Sequence, residues 1–129
     1  MKDQTTATDK LNRIFDGVRG DIAEGQEHLE EWCEKFKMSP GYEMEWANGT
    51  VEIAARVEVY ARVEASIIRL RENDEIDDAG ILAHLEASAK REVLNGSCCP
   101  PQSTSPMSNL TNQYRVKAWA TLYEKLSWA

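Results

Sequence analysis

Leu11, Phe15, Val18, Ile22, Gly25, Leu29, Trp32 and Phe36 follow one another at spacings of 4, 3, 4, 3, 4, 3 and 4. This heptad period keeps one apolar stripe of a helix facing a neighbouring helix, so it constrains the chain more than any other feature. Thr8 or Asp9 supplies a short side-chain oxygen to cap the start. Pro40-Gly41 lies just past the expected end. Gly17, Gly20 and Gly25 each cost about 1 kcal/mol relative to alanine inside a helix. The seam keeps its phase through all three, which favours one bent helix over two. Gly25 lies on the seam, where a missing side chain lets another backbone come close.

The segment "VEIAARVEVYARVEASIIRLRE" (51–72) alternates at Val57, Val59, Ala61 and Val63, as a strand would. It is too long for a strand without a turn signal. Glu52/Arg56 and Glu58/Arg62 form i,i+4 pairs with the acid first, the order that supports a helix. Its broad apolar arc of Ile53, Val57, Tyr60, Val63, Ile67 and Ile68 marks a central helix with neighbours on more than one side. Between the two helices, "GYEMEWANG" (41–49) reads as a connector, with Tyr42 and Trp46 over the bundle ends and Asn48-Gly49 as a turn.

An acidic turn, "ENDEIDDAG", follows, with Asp77 or Asp78 capping a third helix. Ile81, Leu82, Leu85, Ala89 and Val93 form its stripe, and Asn95-Gly96 reads as its stop. A Pro/Ser/Cys loop at 95–109 leads to a fourth helix capped by Ser108 or Asn109. Its apolar positions are Leu110, Tyr114, Trp119, Leu122, Tyr123 and Leu126. The expected fold is therefore all-α: a polar tail over 1–8, then a four-helix bundle-like domain over 9–129 with a long first helix. Three shorter helices do not cover that first helix, so the seam around Leu29, Trp32 and Phe36 is expected to be buried in a homodimer.

The 129 residues suit one domain, and 42% hydrophobic with 29% charged residues suits a folded one. No apolar run approaches the ~20 residues of a membrane helix, and the N-terminus lacks a secretory core, so a cytoplasmic protein is expected. The net charge of −7 argues against direct binding to nucleic acid or to anionic lipid. Asp21 through Glu34 carries six acids and no Lys or Arg, while the last twenty residues hold Arg115, Lys117 and Lys125 against Glu124 alone. That contrast points to docking of the fourth helix on the acidic first helix, within the chain or between copies.

Chemistry is sparse. Cys98 and Cys99 are adjacent, whereas zinc sites space cysteines two to four apart. Cys33, His28 and His84 complete no ligand set. His28 with Glu31 reverses the Glu-x-x-His order of di-metal bundles, and no second copy exists. Glu64 sits inside the apolar arc, where a carboxylate needs a partner; Arg56 or Arg71 is the expected one. There is no nucleophile elbow and no phosphate-cradling glycine loop.

The expected function is a non-enzymatic binding or regulatory protein without a cofactor. Glu24, Glu27, Glu30, Glu31 and Glu34, with Trp32, would cover a basic surface of a protein partner, such as one that handles nucleic acid. The alternative rests on Glu31/Glu34 and Glu75/Asp78. These pairs are similar to the Glu-x-x-Glu and Glu-x-x-Asp with which helical nucleotide pyrophosphatases hold magnesium beside a triphosphate, and the similarity implies a Mg-dependent phosphohydrolase. A structural assembly component is the third class.

Overall fold

The computed structural model describes residues 2–38, 43–98 and 106–127, with side chains over 6–34, 49–96 and 109–127. The fold is an all-α four-helix bundle: α1 (Lys2–Met38), α2 (Glu43–Arg71), α3 (Asp78–Cys98) and α4 (Pro106–Ser127). The alternating segment 51–72 is helical through Arg71, as its length and charge pairs require. α1 packs most extensively on α2 and also on α3; α4 packs on α3 and α2. α1 and α4 barely meet, so the helices surround the core in the order α1, α2, α4, α3.

The seam of α1 turns inward. Leu11, Val18 and Gly25 are buried, and Phe15, Ile22, Leu29 and Trp32 are half-buried; the Phe36 side chain lies outside the described residues. Leu11 and Val18 meet Val59, Tyr60, Val63 and Ile67 of α2 in the central core. α3 adds Ile81, Leu85 and Ala89, and α4 adds Ala118, Leu122 and Leu126. Each fully buried Val, Leu or Ile contributes about 1.5–3 kcal/mol relative to exposure. Ile68, assigned to the apolar arc of α2, is instead exposed, because the packed face narrows to Val63, Ile67 and Leu70 near the helix end.

Several boundaries differ from expectation, each for a packing reason. α1 begins at Lys2, so residues 2–8 are helix and not a tail. Ala7 is buried there, and the Thr8 hydroxyl donates to Asp78 Oδ2 at 2.6 Å, docking the first turns of α1 on the start of α3. Thr8 is therefore an interhelical tie and not a cap. Asp77 does cap α3: its Oδ1 accepts from the Gly80 N–H at 2.8 Å.

Asn48-Gly49 is not a turn, since α2 runs through it from Glu43. A Cβ on Gly49 would collide with the Trp32 indole, so this glycine admits a ring. Asn95-Gly96 does not stop α3, which continues to Cys98; a Cβ on Gly96 would strike Val116 of α4. No described residue has a positive φ, so these glycines serve close approach and not left-handed backbone. Of the expected loop at 95–109, the described residues up to Cys98 and from Pro106 onward are helix; 99–105 lie outside the described residues. The Tyr42 position, the Trp46 side chain and the Cys98-Cys99 pair fall outside the described residues.

Gly25 behaves as its seam position implies: a Cβ there would stand 2.5 Å from Val57 Cγ2 and 3.3 Å from Ile53 Cγ2. Gly20, by contrast, has nothing within 4 Å of that point. Alanine at these two positions should act in opposite directions. Gly20→Ala should stabilise by about 0.5–1 kcal/mol through helix propensity. Gly25→Ala should lose about 1 kcal/mol net, because overpacking outweighs the same gain. Urea unfolding midpoints at constant m-value check both, and a stabilised Gly25→Ala protein would contradict the described α1–α2 contact.

Candidate functional site

At 1.5 Å per residue, the 37 residues of α1 span about 55 Å, against about 31–33 Å for the 21 and 22 residues of α3 and α4. The shared core takes nothing from α1 beyond Ile22. Past that point α1 lies on α2, with Gly25 against Val57 and Ile53 and Trp32 against Gly49. The two helices thus extend as an antiparallel arm, and Trp32 is covered within the chain by α2.

The acids of the arm lie opposite this packed face. Glu24, Glu27, Glu30, Glu31 and Glu34 are all exposed. Helical periodicity dictates the separation, since the 24, 27, 31, 34 series is out of phase with the 25, 29, 32 seam. His28 sits among them, with Nε2 3.6 Å from Glu24 and Nδ1 3.9 Å from Glu31. No Lys or Arg is interspersed between Asp21 and Glu34. The anionic face is brought together as the sequence predicts; Trp32 belongs to the opposite, packed face.

The cations of α4 are directed elsewhere. Arg115 donates from Nε to Glu58 Oε2 at 2.9 Å, and its Nη2 lies 2.9 Å from the same oxygen. Arg62 reaches Glu58 Oε1 at 3.2 Å, and Lys117 donates to Glu52 Oε1 at 2.7 Å. Only Lys125 turns to α1, with Nζ 3.4 Å from Asp21 Oδ2 and 5.8 Å from the Tyr60 ring centroid. Within the chain the fourth helix therefore docks its charges mainly on α2, correcting the within-chain form of the expectation that it would lie on the acids of α1. Such solvent-screened pairs add little to stability and serve to orient α4.

Glu64 and Arg56 do not form the expected pair. Glu64 is half-buried at the α1–α2 edge, and its partner is Arg19 at 3.7 Å. Arg19 escaped prediction because it lies off the seam, one residue past Val18. Arg71 is drawn to α1 as well, donating to Asn12 Oδ1 at 2.5 Å. Arg19 and Arg71 each stand 5.5 Å from the Phe15 ring centroid. Arg56 faces a cleft of about 230 Å³ between α1, α2 and α4, together with Asp21, Tyr60, Tyr114, Lys117 and Lys125.

Glu31 and Glu34 stand on the arm. Glu75 and Asp78 stand at the α2–α3 turn, where Thr8 holds Asp78. The 23 helical steps from Thr8 to Glu31 place the two pairs about 35 Å apart. The fold therefore does not assemble these four acids into one magnesium site. Among the described residues no group of three or more His, Cys, Asp and Glu could hold a metal ion. No described helix is long and apolar enough to cross a membrane.

The chain is thus an all-α four-helix protein whose longest hairpin carries an acidic outer face. No family model, curated protein or solved structure matches it.

Among the described residues Tyr60 is the one fully buried tyrosine, 1% exposed. Burial, and after it the Asp21 carboxylate, hold its phenol above the ordinary value, against a smaller opposing effect of Arg56. A folded-state value raised above the unfolded one contributes stability that is full below pH about 10 and lost as pH rises through the folded value. Lys117, raised by its hydrogen bond to Glu52, acts in the same direction. Between pH about 9 and 11 the wild type should therefore lose more stability than Tyr60→Phe. Chemical denaturation at each pH measures the difference, in which the Lys117 contribution cancels; parallel losses would contradict a raised Tyr60.

Proposed function

We propose that this protein is a small binding or regulatory protein that works through protein–protein contacts, with the outer face of the α1 arm as its docking surface. One observation carries the reading: five glutamates, all exposed, stand together on the side of α1 that faces away from α2. Acids distributed for solubility alone would be interspersed with lysine and arginine. A continuous anionic strip on a rigid helix steers a cationic partner and fixes its orientation. The partner this face suits is a protein with a basic surface, of the kind that handles nucleic acid, and the arm would cover that surface as a competing polyanion. The net charge of −7 itself speaks against the arm approaching nucleic acid directly.

The arm needs no second copy to cover Trp32, since Gly49 of α2 already receives the ring. Homodimerisation through the remaining seam stays a separate proposal, and a strictly monomeric mass by light scattering at micromolar concentration would end it.

Charge reversal at Glu27→Lys and Glu31→Lys tests the docking face. Binding partners captured from the native cell should be lost, or weakened by about ten-fold, with a smaller dependence on salt. The control reverses Asp74 and Glu75, exposed acids of the α2–α3 turn at the far end of the molecule. That protein should retain its partners. Equal loss in both would reduce the effect to net charge, and unchanged binding in the arm variant would refute the proposed face.

A further inference from the structure

α1 and α4 flank the core without packing closely on each other, and a groove of about 350 Å³ opens between them. Ile14, Gly17 and Val18 of α1 and Leu122 of α4 form its apolar floor. Gly17 widens it, since nothing lies within 4 Å of where a Cβ would stand. Lys10, Arg13 and Lys125 form the rim, and no acidic residue lines the groove. Three cations around an apolar floor, in a chain of net charge −7, select against neutral or cationic occupants.

The three cations are not equivalent. Lys10 Nζ donates to the Leu126 carbonyl at 2.5 Å, and Lys125 leans toward Asp21. Arg13 is exposed and has no hydrogen bond or ion pair with a described residue. Its guanidinium can therefore present two N–H groups to a planar carboxylate. Size narrows the occupant further. The nine residues from Lys10 to Val18, eight helical steps, give a length of about 12 Å. The volume falls at the lower end of the ~300–1,000 Å³ of small-molecule pockets.

We propose that the α1–α4 groove binds a medium-chain alkyl carboxylate, with the tail on Ile14, Gly17, Val18 and Leu122 and the carboxylate on Arg13. The site stands apart from the acidic arm and does not depend on it.

The test titrates decanoate, below its micelle concentration, into the full chain while ¹H–¹³C spectra follow the Val18 and Leu122 methyl groups. Saturable shifts at both are expected. Decyl glucoside, a neutral head on the same tail, and the variant Arg13→Glu should each weaken binding by about ten-fold, the loss of one charged hydrogen-bonded contact. Gly17→Leu should abolish the shifts by filling the floor. It has space to do so without disturbing the helix, and circular dichroism verifies that; should it unfold, Arg13→Glu, at an exposed side chain, still carries the test. The proposal is overturned if decanoate gives no saturable shift at these methyls, or if the glucoside binds as tightly. Shifts of the same methyls with protein concentration alone would also overturn it, by showing a second copy in the groove.

Discussion

The close contact between α1 and α2 is the constraint on which the rest of the structure depends. Interhelical distances usually run 8–10 Å, set by the side chains at the contact. Here glycine is used twice to bring the pair together, once from each helix. Gly25 of α1 admits Val57 and Ile53, and Gly49 of α2 admits Trp32. The two contacts fix the antiparallel register, and Arg19 with Glu64 continues it toward the base. With α2 held in that register, Glu52 and Glu58 are presented to Lys117 and Arg115, which orients α4. The same register lets α1 and α2 continue together past Ile22, where the four-helix core ends.

Much of this was legible in the amino-acid sequence, and the parts that were not share a physical reason. The seam from Leu11 to Trp32 could be read because a heptad is a local, repeating signal. Gly25 could be read because it stood on that seam. Gly49 and Gly96 read as a turn and a stop because an asparagine precedes each, yet both lie inside helices. A glycine offers two things, backbone freedom and the absence of a side chain, and sequence does not say which is in use. Here both follow from absence, since Trp32 and Val116 occupy the space. Long-range polar pairs were beyond reach for another reason. Thr8 with Asp78, Asn12 with Arg71 and Arg19 with Glu64 all depend on which helices become neighbours. The acidic face was legible because it needs only one helix: residues out of phase with a buried seam must point to solvent.

Charge is segregated by more than composition. The cations of α4 have nearer acids on α2 than on α1, so the bundle neutralises itself around Glu52 and Glu58. Asp21, the first of the acids from 21 to 34, is taken by Lys125. The glutamates beyond it lie along the part of α1 that only α2 covers, and α2 meets that part through its apolar side. The arm thus keeps its anionic character because the shorter helices end before reaching it. Helix length, a consequence of where the seam stops, decides which acids lie beyond the reach of the α4 cations.

The two surfaces on α1 follow from one helix having two sets of neighbours. Along its first half α2 and α3 both pack on it, while α4 sits across the core and leaves a groove. Along its second half a single partner leaves the outer face free. Glycine again marks the difference. Gly25 is explained by what it touches, whereas Gly17 and Gly20 touch nothing within the chain. Each costs about 1 kcal/mol of helix stability that no internal contact returns. At Gly17 the missing side chain is what keeps the apolar floor open beside Arg13, so the groove gives that loss a purpose.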